Sequence, residues 1–360
     1  MSYIIPIQYA FMLFPMAAFL FTLPFLLYQY RKYGYINKIR AVVLYALLLY
    51  LMNAYFLVIL PLPDTQQTCT PESMIHDPYQ STPFHFIEDI ANETQVNLSK
   101  PGTYISLLGE RAFQQVAFNV LMLVPFGMIL RYYFQRSWVR TIFTSLLLSL
   151  FFEITQVTGL YGIYECPYRL FDVDDLIANT SGGLLGYIIA PLLTRFLPKT
   201  EELDEGIVLD ELPIALTRRL LALGVDYLLL LLPIGFIVMV SEPIYALLPI
   251  LAYFIFVPWI TNGYTFGKWL LRIRLIGQGE RIELAELVHR YGLLYAGWGG
   301  MNMLLLSGVV KEFPIIITQL IMFAVFLVDV VFVLHIISRL YRKDKRLLHD
   351  KWSHTRQRVR

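Results

Sequence analysis

Glu153 and Gln156 stand three residues apart in an apolar run, a spacing that puts both on one face of a helix. A short polar segment with Arg169, Asp172, Asp174 and Asp175 follows. Asn179, Gly182, Gly183 and Gly186 then open the next apolar run, and Asn119 lies in the run before, ahead of Pro125 and Gly127. An ionisable group inside a bilayer costs roughly 2.5–3.5 kcal/mol on insertion scales and is usually paired or functional. Glu153 must therefore find a partner or take up a proton, and Gln156, Asn119, Asn179 and Arg169 are the nearest candidates. With Asp172 and Asp175 they form a candidate ligand-binding constellation, a polar pocket. The plainer alternative is interhelical hydrogen bonding worth roughly 0.6–2 kcal/mol per contact, with close packing through Gly182 and Gly186. Three aspartates supply the oxygens that suit calcium or magnesium. Acid-rich loops more often face water or cap helices, and Asp174 or Asp175 is a natural N-cap, so no metal site is assigned.

A second set lies further on. Arg219 and Asp226 are two helical turns apart on one face, and Asp329 sits deep in the last apolar run. An interfacial salt bridge between Arg219 and Asp226 is the simple account. The sharper one is a proton or sodium site that Asp226 shares with Asp329, because buried carboxylates often mark ion pathways. The run Thr261-Asn-Gly263-Tyr-Thr265-Phe-Gly267-Lys268 has the glycines and lysine of a phosphate loop but not its spacing, which excludes nucleotide binding. It reads as a cytoplasmic re-entrant turn before a basic amphipathic strand or helix, with Lys268, Arg272 and Arg274 free to meet anionic headgroups.

The elements that must position these residues follow from composition. Of the 360 residues 57% are hydrophobic and 16% charged, against about 25% charged in soluble domains. The apolar residues come in blocks of the roughly 20 needed to span a bilayer. Spans are expected at 4–28, 41–61, 113–133, 139–158, 176–197, 219–240, 244–262, 291–310 and 314–338. Backbone groups in lipid must be satisfied internally, so each is a helix and the chain is an all-α, polytopic membrane protein of about nine helices in two bundles. Pro6, Pro15 and Pro24 suggest kinks in the first. That block lacks a basic leader, so it is expected to stay as a helix.

With the N-terminus outside and the C-terminus cytoplasmic, all of the 29 Lys and Arg residues except Lys100, Arg111, Arg169 and Lys311 fall on the inside. The cationic residues are scattered through short loops and the net charge is only +2, which argues against a nucleic-acid partner. Membrane lipids are the expected surroundings. Cys69 and Cys166 both fall in outside loops, where an oxidising exterior permits a disulfide; two cysteines are too few for a zinc site. A polar, acidic stretch at 198–213 reads as a cytoplasmic linker between a domain at 1–197 and another at 214–360. The outside loop 62–112 is the longest extramembrane segment, with a short helix expected near 84–94.

Three runs, Asn119 through Pro125-Phe-Gly127, Glu153-x-x-Gln156, and Arg169-Leu-Phe-Asp172-Val-Asp174-Asp175 with Asn179, Gly182 and Gly186, resemble the VanZ-like family over residues 40–197. That resemblance implies a bacterial membrane protein associated with resistance to the glycopeptide teicoplanin. The stretch from Thr217 through Arg219 and Asp226, the Thr265-Phe-Gly267-Lys268 segment and the closing Arg346-Leu-Leu-His349-Asp350-Lys351 resemble the RDD family over about 213–357. That likeness implies functional weight on Arg219, Asp226 and Asp350; some RDD proteins are linked to sodium–proton exchange.

Three functions compete. The first is a non-enzymatic surface protein whose outward pocket binds an envelope precursor or a glycopeptide, or screens such targets. The second is a cation–proton antiporter resting on Asp226 and Asp329. The third is an intramembrane enzyme with Glu153 as general base. It ranks last, because the sequence offers no nucleophile–base pair, metal triad or cofactor motif.

Overall fold

The computed structural model describes residues 4–69, 78–94, 96, 101–208, 214–306, 309–341 and 346–359. It is helical almost throughout, and eight described segments are long and apolar enough to cross a membrane. The chain is a multi-pass membrane protein. It divides into two compact units, Met1–Phe21 with Asn37–Glu205, and Thr22–Ile36 with Gly206–Arg360.

α1 (Ile4–Tyr33), whose residues up to Phe21 belong to the first unit and the rest to the second, is one continuous helix in spite of its prolines. α2 (Lys38–Ile59) begins where the Asn37 side chain accepts from the Ile39 and Arg40 N–H groups, and it ends before Pro61. Outside the spans come β1 (Tyr79–Gln80), the short α3 (His85–Glu93) and a 3₁₀ segment at Pro101–Gly109. Three long helices complete the unit: α4 (Arg111–Tyr132), α5 (Trp138–Val157) and α6 (Val173–Thr194). β2 (Phe171–Asp172), just ahead of α6, pairs in parallel with β1.

Glycine fixes how α4 and α6 meet. A β-carbon on Gly182 would run into the Val120 carbonyl and one on Gly186 into that of Val124, while one on Gly127 would strike Gly183. Small residues on both faces let the two backbones approach this closely. The start of the expected linker is pinned to this unit, since Asn37 donates to the Leu203 carbonyl (3.0 Å) and Arg40 pairs with Asp204. Residues 209–213 lie outside the described residues.

At the end of the bundle where α2 and α5 finish, Cys69 and Cys166 form a disulfide. The Thr68 hydroxyl donates to the Cys166 carbonyl (2.6 Å) and accepts from its N–H (2.9 Å). Between α5 and Cys166 the chain makes a left-handed turn, with φ of +58°, 55°, 60° and +85° at Gly159, Leu160, Tyr161 and Gly162. Leu160 and Tyr161 hold this conformation at roughly 1–2 kcal/mol each. Burial of Leu160 against Ile59 and Tyr164 offsets part of that. Replacing both cysteines by serine is expected to lower stability by about 2–5 kcal/mol. The apparent Tm in detergent should fall, and reductant should lower the parent's Tm but not the variant's.

The second unit contains α7 (Leu216–Val240), α8 (Leu247–Ile260), the short α9 (Phe266–Leu270), β3 (Ile273–Ile276) and α10 (Leu284–Tyr291). α10 runs into a π-helical stretch, Gly292–Gly299, and then α11 (Gly300–Leu306). α12 (Ile315–Tyr341), α13 (Leu348–Trp352) and β4 (Arg356–Val359) close the chain. The span expected at 291–310 is thus helical but interrupted by wide π turns. Topology still requires it to cross. β4 pairs antiparallel with β3, Ile273 opposite Val359, so the chain between them returns to the side it left. α12 is one crossing, and Gly292–Leu306 has to supply the other.

Candidate functional site

The first polar cluster is assembled at one end of the first unit. Glu153 lies near the C-terminus of α5 and is 2% exposed. Its Oε2 accepts from the Asp172 N–H at 3.0 Å. Asp172 is the N-cap of α6, its side chain accepting from the Asp174 N–H at 2.8 Å. Burial raises the half-buried Asp172 carboxyl above its ordinary range; the Asp174 N–H opposes this and the Asp174 charge adds to it. Asp174 turns outward to α3, taking the N–H groups of Phe84 (2.6 Å) and Phe86 (2.9 Å). Asp175 turns inward to the Asn119 amide on α4. One turn deeper, Asn179 donates to Ser149 at 2.9 Å, leaving its own carbonyl oxygen buried without a hydrogen bond.

A second group secures the end of α2 instead. Gln156 donates to the Val58 carbonyl (2.9 Å), Tyr168 to that of Ile59 (3.3 Å) and Arg169 to that of Leu60 (3.1 Å). Three of the four carbonyls that a helix C-terminus leaves unpaired are mostly satisfied this way by side chains. Beside the cluster, an apolar groove of about 390 Å³ runs between α5 and α6.

In the second unit, Asp226 of α7 is fully buried and saturated by neutral donors. It accepts from the Tyr253 hydroxyl (2.7 Å), the Gly267 N–H (2.6 Å) and the Thr265 hydroxyl (2.6 Å). Gly267 is needed there, because a β-carbon would meet both Ala222 and the Asp226 carboxyl. Lys268, 7% exposed, reaches the Thr265 hydroxyl (3.4 Å) and the Tyr291 hydroxyl (3.0 Å). Next to Tyr291 in sequence, Arg290 pairs with Asp350 at 2.5 Å, off hydrogen-bond alignment, and donates to Thr355 at 2.7 Å. Arg219 holds the other Asp350 oxygen at 2.9 Å. Burial, reinforced by Arg290, pushes the His349 imidazole down to about 3. A series of buried polar side chains therefore runs from Asp226 through Thr265, Lys268, Tyr291 and Arg290 to Asp350 and Arg219.

Comparison with protein-family models matches residues 47–194 to VanZ/LLP1 and residues 214–354 to the RDD family. The chain is a VanZ-like segment followed by an RDD segment. Comparison with curated proteins and with solved structures gave no match.

The VanZ-like segment gathers most of the residues its sequence pointed to. Glu153, Asp172, Asp175, Asn119 and Asn179 share one end of the α4–α5–α6 bundle. Gln156 and Arg169 sit at that end too, but their bonds go to α2 rather than to Glu153. The polar side chains are knit to one another and to the backbone, and none of these seven lines the groove beside them. The N-cap of α6 is Asp172, not Asp174 or Asp175, and Asp174 emerges as the anchor of the outer loop. Ser149 went unremarked, although it lies four residues before Glu153 and so on the same helical face. Among the described residues no group of metal-ligating side chains is arranged to hold an ion.

The RDD segment redistributes its candidates. Arg219 pairs with Asp350, 131 residues away, instead of Asp226. Asp329 accepts from Trp298 (2.7 Å) and Asn302 (3.1 Å), so Asp226 and Asp329 have separate partners. Lys268 does not reach headgroups as expected; it is buried over the faces of Phe254 and Tyr291. Arg290, Tyr291 and Thr355 were missed, since nothing local marks one basic residue among many as buried.

Proposed function

We propose that this protein acts at the outer face of the cell membrane, binding an envelope ligand and contributing to glycopeptide resistance of the teicoplanin type. The observation that carries this reading is the convergence of Glu153, Asp172, Asp174 and Asp175 at one end of the VanZ-like bundle, beneath a loop anchored by Asp174 and stapled by Cys69–Cys166. The orientation, N-terminus outside and C-terminus cytoplasmic, rests on the distribution of lysine and arginine. It is supported by the disulfide at the end assigned to the oxidising side. The role is one of binding, not catalysis. In a host where the parent protein protects against teicoplanin, Glu153→Gln is expected to return susceptibility to the empty-vector level. Equal protection by the variant, at equal membrane abundance, would refute the reading.

A second reading has its own observation. The part of the buried series from Asp226 through Thr265 and Lys268 to Tyr291 consists of side chains able to pass a proton, each within hydrogen-bond reach of the next, while Arg290 and Arg219 stay charged and hold Asp350. It supports cation–proton exchange, with Asp226 as the carboxylate that loads. Everted vesicles reporting with a pH-sensitive dye should show sodium-driven proton movement that disappears in Asp226→Asn. Undiminished movement in that variant would end this reading.

A further inference from the structure

The groove between α5 and α6 is formed by Ile142 and Leu146 on one side and by Val173, Leu176, Ile177 and Leu184 on the other, with Thr180 and Ser181 the two hydroxyl-bearing residues among its walls. From Val173 to Leu184 a helix rises about 16 Å, close to half of a hydrocarbon core of about 30 Å. The groove is therefore one leaflet deep, and it begins at the end of α6 that carries the carboxylates. Val173 directly follows Asp172, which is only half-buried. The groups around that carboxylate are Asp174, Asp175, Glu153, Asp89 and His85, and His85 is already paired with Asp89 at 3.2 Å. Arg169 is committed to the Leu60 carbonyl. The mouth of an apolar, chain-length groove thus carries an excess of negative charge.

We propose that this groove seats the acyl chain of an outer-leaflet membrane lipid whose headgroup bears an amine, with the ammonium held at Asp172. The inference rests on the orientation and envelope-ligand reading given above, and it names the class of ligand. The walls, apolar at six of their eight residues, select a flexible hydrocarbon chain. The acidic mouth discriminates against anionic headgroups by like-charge repulsion and favours a cation.

The test uses the full-length protein in phosphatidylcholine vesicles, with a nitroxide-labelled alkylamine and a nitroxide-labelled fatty acid of equal chain length. Electron paramagnetic resonance reads the motionally restricted fraction of each probe. The alkylamine should be retained about fivefold or more over the fatty acid, as expected for a single close charge pair at the membrane surface. Asp172→Asn keeps a capping side chain, since asparagine caps as well as aspartate. It should abolish the preference while leaving chains restricted. Leu176→Trp with Leu184→Trp fills the groove and should release both probes to the level of ordinary boundary lipid. Equal retention of the two probes by the parent protein overturns the proposal. So does a preference that survives Asp172→Asn, or restriction unaltered by the filled groove. The readout is independent of antibiotic phenotype, so loss of the teicoplanin effect and loss of amine selectivity are separate results.

Discussion

Asp350→Ala is expected to destabilise the RDD segment by about 3–5 kcal/mol, the cost of leaving buried cations without their counter-charge. Asp350 is 1% exposed and holds Arg219 and Arg290 at once, and its Oδ2 also takes the Leu347 N–H at 2.8 Å. Removing it strands two guanidinium groups, one of them 2% exposed. A fall in thermal stability measured in detergent that is larger in Asp350→Leu alone than in the double variant Arg219→Met/Asp350→Leu, which strands one guanidinium instead of two, would show that stranded charge and not lost packing is responsible. The same cluster sets a pH dependence. Burial alone would raise the Asp350 carboxyl, but Arg290 and Arg219 outweigh it and hold the group far below the usual carboxylate range. His349 is held at about 3, against about 6.5 when unfolded. In both cases the unfolded chain binds the proton first, so stability falls with acid. The histidine contribution declines from about pH 6.5 downward. That of Asp350 is present above about pH 4 and is lost as pH falls further. A Tm that holds steady between neutral pH and about pH 4 would contradict this assignment.

Gly182→Val and Gly186→Val are each expected to cost at or above the upper end of about 1–3 kcal/mol. The first atom a side chain meets at either position is a backbone carbonyl of α4, at Val120 or Val124. A flexible side chain could swing aside, but a carbonyl inside a helix cannot move without the helix. The two helices must separate, and separation pulls Asn119 away from Asp175. Low membrane abundance or a Tm drop in both variants, with Gly224→Ala as the neutral comparison because nothing lies within 4 Å of its added carbon, is the expected pattern. Parent-like stability of the valine variants would mean that the α4–α6 interface is looser than described.

Much of the VanZ-like cluster was legible because its signals are local. Asp172, Asp175 and Asn179 sit within the first turns of α6, and Glu153 sits on the preceding helix at the same end. Connectivity alone brings such residues together. What connectivity could not give was the partner of each side chain. Gln156 and Arg169 lie as near to Glu153 in sequence as Asp172 does, yet both are spent on the open carbonyls at the end of α2. Their choice follows from where α2 happens to stop.

The RDD segment was less readable for the same reason in stronger form. Arg219 and Asp226 share a helical face, so a local rule pairs them. Asp226, however, is filled by the N-terminal turn of α9, and Arg219 is left for a carboxylate at the far end of the chain. Hydropathy, which is additive along the chain, determined the membrane class and the positions of eight spans, and short local motifs carried the likeness of each half to its family. The tertiary structure decided which buried charge is neutralised by which neighbour. Coulomb and hydrogen-bond energies fall off over a few ångströms of space, and sequence distance is no measure of that.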